Sequence, residues 1–239
     1  MVQLSDPGVQ EYISDLATKR RVVFIIGCAR SGTTILQRCM STVSDPVYFW
    51  SEAPLARLYK ERDSGADGRH FVLKRTAKCY ENFPHIPGPV KMLHIVRNPE
   101  AVFTSVHGNL AGYYVTPERW GAEFEAFLAL EKQHPPENLY VVRYEDLMSD
   151  PDASQRQIGE HLDLEFDLPF TRLVERNHLD KKIVPKTGEM RRWLPIDPSR
   201  TSEKRDLEQI AARMKDIRPA LGPKIDAFCE KFGYRELKF

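Results

Sequence analysis

The sequence is poor in the features that mark disulfide-rich, metal-binding and membrane proteins. Its four cysteines are scattered along 239 residues without a Cys-x-x-Cys pair, and its seven histidines form no His-x3-His pair. This spacing indicates neither a disulfide framework nor a structural metal site, and it favours a reducing, cytoplasmic compartment. No apolar run approaches the roughly 20 residues of a membrane span, and the polar segment 1–21 lacks the apolar core of a signal peptide.

The chain also lacks an excess of charge of one sign. It has 35 basic and 34 acidic residues, so no overall field attracts nucleic acid or an anionic membrane as a partner. Single α/β domains often run to about 200–250 residues. We therefore expect one domain that spans residues 1–239.

A loop between two glycines is the stretch around which the chain is organised. The unbroken apolar run Val22–Ile26 predicts a strand buried on both faces of a parallel sheet. Gly27 ends this strand, Gly32 opens a turn, and a helix is predicted from Thr33. This arrangement points backbone N–H groups at one spot, which is typical of a phosphate site. Thr33 stands where a Walker A motif has its lysine, so Arg30 is the cation of this loop.

The rest of the sequence alternates between strand and helix patterns. It predicts strands at 47–49, 70–74, 91–96 and 139–142, and helices at 7–16, 33–43, 117–133, 202–214 and 224–232, with others beginning near Glu52, at Pro99 and at Pro151. This order indicates an α/β fold: a P-loop-like parallel sheet with helices on both faces. We take 117–133 as the longest helix and expect its stripe of Trp120, Phe124 and Phe127 to lie in the core.

Two other predicted strands also end in polar residues, where open α/β sheets bind ligands. Arg97 follows strand 91–96, and Ser105 is expected about two turns along the helix that Asn98 caps and Pro99 begins. An arginine and a hydroxyl beside a helix start suggest a second phosphate site; a solvated arginine and a surface serine are the alternative. Tyr144 follows strand 139–142 and could flank a base or pack in the core.

Three motifs resemble the landmarks of the sulfotransferases that use 3′-phosphoadenosine 5′-phosphosulfate (PAPS). They read GCARSGTT, LHIVRNPEAVFTS and VVRYEDLMSDP, and their style is closest to bacterial and tyrosylprotein sulfotransferases. The resemblance implies that Arg97 and Ser105 bind the 3′-phosphate and that Tyr144 lies against the adenine. It implies that the first loop binds the 5′-phosphosulfate through Arg30, Ser31, Gly32, Thr33 and Thr34.

A later stretch resembles a fourth landmark of the family more weakly. Lys186-Thr-Gly188 precedes Trp193 by the family's five-residue step from glycine to tryptophan. Lys186 matches the position whose arginine reaches the 3′-phosphate. Arg191 replaces the second glycine of the landmark, and Arg191 or Arg192 could serve the phosphate instead.

The resemblance also implies a catalytic base and a second catalytic cation. Ala77 stands where sulfotransferases of small phenols carry a catalytic histidine, whereas Glu52, 22 residues after Arg30, matches the basic glutamate of tyrosylprotein sulfotransferases. A helix acid is the alternative reading of Glu52, and His94 and His107 are the next candidates for the base.

Lys74 and Arg75 both fit the second catalytic cation. Adjacent strand residues point to opposite faces, so we expect one of them to reach the donor, and the match to the family favours Arg75.

The function implied is transfer of sulfonate from PAPS to an acceptor hydroxyl, without a metal. Glu52, Arg30 and Arg75 are the expected catalytic residues. A P-loop kinase of small molecules is an alternative, although the Walker lysine and a clear Walker B acid are missing; a non-catalytic nucleotide-binding module is another. The acceptor stays open between carbohydrate, lipid, small alcohol and peptide tyrosine, and so does the oligomeric state.

Overall fold

A computed structural model describes the chain over residues 3–19, 22–45, 47–51, 55–60, 70–74, 79–106, 112–175, 196 and 207–235. The strands of this part are β1 (Val22–Ile26), β2 (Val47–Ser51), β3 (His70–Lys74), β4 (Lys91–Val96) and β5 (Leu139–Arg143). The α-helices are α1 (Pro7–Thr18), α2 (Thr33–Cys39), α3 (Arg57–Lys60), α4 (Pro99–Phe103), α5 (Pro117–Gln133), α6 (Tyr144–Ser149), α7 (Pro151–Leu162) and α8 (Leu207–Phe232). Short 3-10 turns occupy Met40–Thr42, Cys79–His85, Pro136–Asn138 and Phe170–Glu175.

The five strands form one parallel sheet in the order β2-β3-β1-β4-β5. β1 lies at the centre, where Ile25 pairs with Lys74 of β3 and Ile26 pairs with His94 of β4. Because all strands run in the same direction, their carboxyl ends lie along one edge of the sheet. The predicted parallel sheet is confirmed, and the loop after β1 begins in the middle of that edge.

Helices cover both faces of the sheet, as predicted. Val22, Phe24 and Ile26 of β1 pack with α1 in one buried cluster, and Val23 and Ile25 pack with α2, α6 and α7 in another. Side chains of a strand alternate between its two faces, so an all-apolar β1 serves two cores at once. The fold is therefore α/β.

A third core joins α4, α5 and α8 beyond β4. Trp120 and Phe124 of α5 lie 5.1 and 5.2 Å from the ring of Phe228, and Phe232 lies 4.6 Å from the same ring. These rings meet at tilted or edge-on angles, which aromatic pairs prefer. The predicted core role of the aromatic stripe on α5 is confirmed.

The helix after β4 is shorter than predicted. Asn98 caps it, since its side chain accepts a hydrogen bond from the backbone N–H of Glu100 at 2.9 Å, but α4 ends at Phe103. Ser105 therefore lies beyond the helix, and the prediction that it sits two turns along it is wrong. The chain turns away because Val106 forms a β-bridge with Tyr113, which replaces helical hydrogen bonds.

The C-terminal region forms one helix where two were predicted. α8 contains Pro219 and Pro223 in its interior and has 26 residues, so 117–133 is not the longest helix. An interior proline costs about 3 kcal/mol, whereas each large buried apolar side chain contributes about 1.5–3 kcal/mol. The buried stripe that offsets both prolines comprises Ile210, Met214, Ile217, Leu221, Ile225, Phe228 and Phe232. Neither α8 nor another helix of the described ranges combines the length and apolarity needed to cross a membrane.

Helix 33–43, like the helix after β4, was predicted too long. Its α-helical part stops at Cys39, and Met40–Thr42 continues as a 3-10 turn. The helix predicted from near Glu52 begins at Arg57 among the described residues, and 52–54 lie outside them.

Phe228 tests the importance of this third core. Phe228→Ala should lower the free energy of unfolding by about 3–5 kcal/mol, because it leaves a cavity between α5 and α8. Urea unfolding followed by circular dichroism measures the loss. Glu230→Ala, at an exposed site of the same helix, should change stability by less than about 0.5 kcal/mol. Equal effects of both substitutions would show that the aromatic packing does not stabilise the fold.

Candidate functional site

The loop between β1 and α2 has the backbone geometry of an anion-binding turn. Gly27, Arg30 and Gly32 all have positive φ angles, of 146°, 73° and 102°. The N–H of Ser31 donates to the carbonyl of Cys28 at 3.1 Å, which tightens the turn. A left-handed conformation costs a non-glycine residue about 1–2 kcal/mol. Arg30 is therefore held in a strained backbone position at the tip of the loop, and its side chain is exposed.

Both glycines are required by close contacts with neighbouring segments. A Cβ atom on Gly27 would lie 2.4 Å from the carbonyl oxygen of Ile95, and one on Gly32 would lie 2.5 Å from Cδ2 of Tyr144. The loop thus packs directly on the end of β4 and on the start of α6. The three segments that carry the sequence motifs meet here.

Lys74 is the cation that the neighbouring strand directs at the loop. Its side chain is only 6% exposed, and its Nζ donates to Oγ1 of Thr34 at 3.2 Å. Ser31 and Thr33 are buried, whereas Thr34 is exposed. Lys74 therefore brings a positive charge from β3 to the first turn of α2, directly after the loop that lacks a Walker lysine.

The arginines of the first two motifs lie in contact. Arg97 donates from Nη1 to the carbonyl oxygen of Arg30 at 3.1 Å, and Arg30 donates from Nε to Oγ of Ser105 at 2.8 Å. The structure thus brings together the predicted residues Arg30, Arg97 and Ser105, although Ser105 lies outside the helix. The contact between Arg30 and Ser105 was not predicted, because the two residues were assigned to opposite ends of the donor.

Tyr144, in the third motif, contacts residues of both other motifs. It is 8% exposed, Gly32 packs against one edge of its ring, and the guanidinium of Arg97 lies 4.3 Å from the ring centroid. A cation over an aromatic face is attracted by the ring. The contact of Tyr144 with an adenine stays a prediction.

Several predicted site residues lie outside the described residues. They are Glu52, Arg75, Lys186, Arg191, Arg192 and His107. The nearest described residue to Glu52 is Ser51, whose backbone pairs with Lys74 at the end of β2.

His94, the next candidate for the catalytic base after Glu52, is unsuited to that role. Its ring stacks on Phe127 with the centroids 3.9 Å apart, inside the core below the sheet. Burial, with the charge of Lys231 as a smaller cause, lowers the pKa of His94 to about 3. The residue is neutral at pH 7 and too weak a base to take a proton readily from an alcohol.

The sequence did not point to the residues that tie the motifs together. Glu145 accepts hydrogen bonds from the backbone N–H of Asn98 at 3.0 Å and from the hydroxyl of Tyr234 at 2.8 Å. Glu145 directly follows Tyr144 in the third motif. An acidic residue at this position could have been identified from the sequence as a partner for the neighbouring motif. Tyr234 follows α8 and belongs to no motif.

The described residues contain no group of three or more His, Cys, Asp or Glu side chains that could hold a metal ion. The cations and backbone amides around the loop suit an anionic ligand instead. That the reaction uses no metal stays a prediction.

Comparisons with known proteins agree with this arrangement. Residues 83–168, which include Arg97, Ser105 and Tyr144, match the profile of the Sulfotransferase family. The sulfotransferase domain from the curacin biosynthetic pathway is 18% identical, with a TM-score of 0.57 over 90% of this chain and 98% of that one. The sulfotransferase domain of a Synechococcus olefin synthase is 19% identical, with a TM-score of 0.56 over 81% and 93%. A sulfotransferase from Alicyclobacillus acidocaldarius is 16% identical, with a TM-score of 0.50 over 90% and 96%.

No curated protein sequence matches the chain significantly. At these low identities the solved structures show the fold alone, and the family match covers residues 83–168, less than half of the chain. The second and third motifs lie within the matched segment, and the first follows β1, the central strand of the parallel sheet. Residues 83–168 thus match the Sulfotransferase family, and the chain shares the α/β fold of solved sulfotransferases.

Proposed function

We propose that this protein is a sulfotransferase that moves the sulfonate group of PAPS to the hydroxyl of an acceptor. The observation that carries the proposal is the convergence of three cations on one glycine-bracketed loop: Arg30 from the loop, Lys74 from β3 and Arg97 from the end of β4. A donor with phosphate groups at both its 3′ and 5′ positions needs positive charge at two separated points. The loop, β3 and the end of β4 together can supply both within one site.

The 5′ end of the donor is proposed to lie over the loop amides and Lys74. Ser31 and Thr33 are buried, so they would bind through backbone N–H groups, whereas the exposed Thr34 can offer its hydroxyl. A buried cation interacts strongly with a nearby anion, because little water screens the pair. This supports Lys74 as a stabiliser of charge on the leaving oxygen, alongside or in place of Arg75.

The 3′-phosphate is proposed to bind at Arg97 and Ser105. The hydrogen bond from Arg30 to Ser105 brings a second guanidinium to this proposed phosphate site. Arginine presents a planar fork of donors that suits phosphate oxygens. Arg30 thus stands between the two ends of the donor; its proposed role in catalysis and the role of Lys186 stay predictions.

The reaction is proposed to be an in-line displacement at sulfur. A bond forms between the acceptor oxygen and sulfur while the bond from sulfur to the bridging phosphate oxygen breaks, and 3′,5′-adenosine bisphosphate (PAP) leaves. Glu52 takes the proton of the acceptor hydroxyl, and the pairing of Ser51 with Lys74 supports its placement near the reacting groups. The protein contributes positioning and prearranged positive charge, as in phosphoryl transfer.

Several parts of the proposal rest on the sequence. The acceptor is proposed to be a small molecule, carbohydrate or lipid, and peptide tyrosine stays open, as does the oligomeric state. The single domain over residues 1–239 and a cytoplasmic location are likewise predictions.

Arg97 tests recognition of the 3′-phosphate. The wild type should bind PAP more tightly than ADP in calorimetric titrations, and Arg97→Ala should reduce the affinity for PAP by about 10- to 150-fold, since a hydrogen bond to a charged group contributes roughly 1.5–3 kcal/mol. Arg172→Ala removes an exposed arginine far along the chain and should leave both affinities unchanged. Equal binding of PAP and ADP by the wild type would favour the alternative function, a P-loop kinase of small molecules.

Lys74 tests the stabilisation of the leaving group. Lys74→Met keeps an apolar side chain of similar length but removes the charge, so turnover with PAPS should fall by about 10²–10³-fold, as when one prearranged donor to a developing anion is lost. Lys132→Met, at an exposed position of α5, should keep full turnover. Wild-type turnover in Lys74→Met would assign the second cation to Arg75.

Glu52 tests the identity of the base. Glu52→Gln should lower turnover by about 10²–10⁴-fold, because an amide cannot accept the proton. The affinity for PAP should stay nearly constant, since Glu52 is not expected to touch the nucleotide. An equal loss of turnover and of PAP affinity would instead assign Glu52 to holding the loop in place.

A further inference from the structure

One carboxylate joins three segments of the chain that are distant in sequence. Oε1 of Glu145 accepts from the backbone N–H of Asn98 at 3.0 Å, and Oε2 accepts from the hydroxyl of Tyr234 at 2.8 Å. Glu145 lies in the first turn of α6, Asn98 follows β4, and Tyr234 follows α8. Both oxygens of the carboxylate are therefore used to connect main-chain and side-chain donors across the fold.

The first of these bonds acts on the main chain of a donor-binding residue. The N–H of Asn98 belongs to the peptide unit that joins Arg97 to Asn98, so the bond to Glu145 fixes the chain where Arg97 leaves the sheet. Glu145 is also the residue after Tyr144, whose ring lies 4.3 Å from the guanidinium of Arg97. The carboxylate thus sets the distance between the second and third motifs.

The second bond holds the carboxylate itself. Tyr234 is 9% exposed; its ring stacks on Phe228 at 5.9 Å and lies 4.7 Å from the guanidinium of Arg143. Burial raises the pKa of the Tyr234 hydroxyl, with the nearby charge of Glu145 as a further cause, so the hydroxyl keeps its proton and stays a donor at neutral pH. Without this donor, Oε2 of Glu145 would lose its partner and the carboxylate could rotate.

We infer that Tyr234 is a positioning residue for the nucleotide site, which acts through Glu145 on Arg97. This inference rests on the proposed binding of a 3′-phosphate at Arg97. A tyrosine that only anchored the end of α8 would affect stability alone. The hydrogen bonds instead lead from Tyr234 to the Arg97 peptide, so loss of the hydroxyl should weaken recognition of the 3′-phosphate in particular.

Tyr234→Phe tests the inference, since it removes the hydroxyl and keeps the ring. Calorimetric titration with PAP and with AMP, which lacks the 3′-phosphate, gives a ratio of affinities for each variant. Tyr234→Phe should lower the affinity for PAP by about 3- to 10-fold, within the range of a single hydrogen bond, and change that for AMP by less than about twofold. Tyr140→Phe is the matched control, because its hydroxyl donates to Gln157 at 2.9 Å on the exposed side of β5.

A second variant keeps the test valid if Tyr234→Phe is poorly folded. Glu145→Gln has one acceptor oxygen and can keep only one of the two bonds, so it should lower the ratio of PAP to AMP affinity as well. Adding Tyr234→Phe to Glu145→Gln should lower the ratio little further, because the two residues act through one contact.

The outcomes separate this inference from the proposed function. A wild type that binds PAP and AMP equally would overturn the proposed function together with the inference. A wild type that prefers PAP, with the preference undiminished in both Tyr234→Phe and Glu145→Gln, would overturn the role of Tyr234 alone.

Discussion

The site depends on the close packing of the glycine-bracketed loop against the ends of two neighbouring segments. Gly27 approaches the carbonyl of Ile95, and Gly32 approaches the ring of Tyr144, at distances that leave no room for a Cβ atom. Because β1 lies at the centre of a parallel sheet, its loop meets β3 on one side and β4 on the other. This packing lies beside the contacts of Arg30 with Arg97 and Ser105.

The positive charge is divided among residues with different surroundings. Lys74 is buried and contacts Thr34, which suits a charge that must act on a leaving group without screening by water. Arg30 is exposed and contacts Ser105, and Arg97 lies between the loop carbonyl and the face of Tyr144. Under the proposed function, the arginines would recognise phosphate and the lysine would act in the transfer step.

Local patterns predicted β1, β3 and β4 at their observed bounds, because apolar runs of this length have few alternatives to a buried strand. They also predicted the cap at Asn98. They were wrong about the C-terminal region, where two helices were predicted and α8 runs without a break through Pro219 and Pro223. Proline has a strong local penalty, but the apolar stripe that offsets it acts only once α8 packs on α5. The position of Ser105 likewise depends on a contact that local patterns do not show, the β-bridge between Val106 and Tyr113.

The sequence by itself determined the α/β class and the parallel sheet, and it predicted an anion site in the loop after β1 and a phosphate site at Arg97 and Ser105. These features follow from periodicity, glycine positions and strand ends, which are local properties. Only the tertiary structure decided that Lys74 faces the loop, that Arg30 reaches Ser105, and that Tyr234 holds Glu145. The physical reason is that these contacts join residues 40, 75 and 89 positions apart, whose approach is set by strand order and helix packing rather than by neighbouring residues.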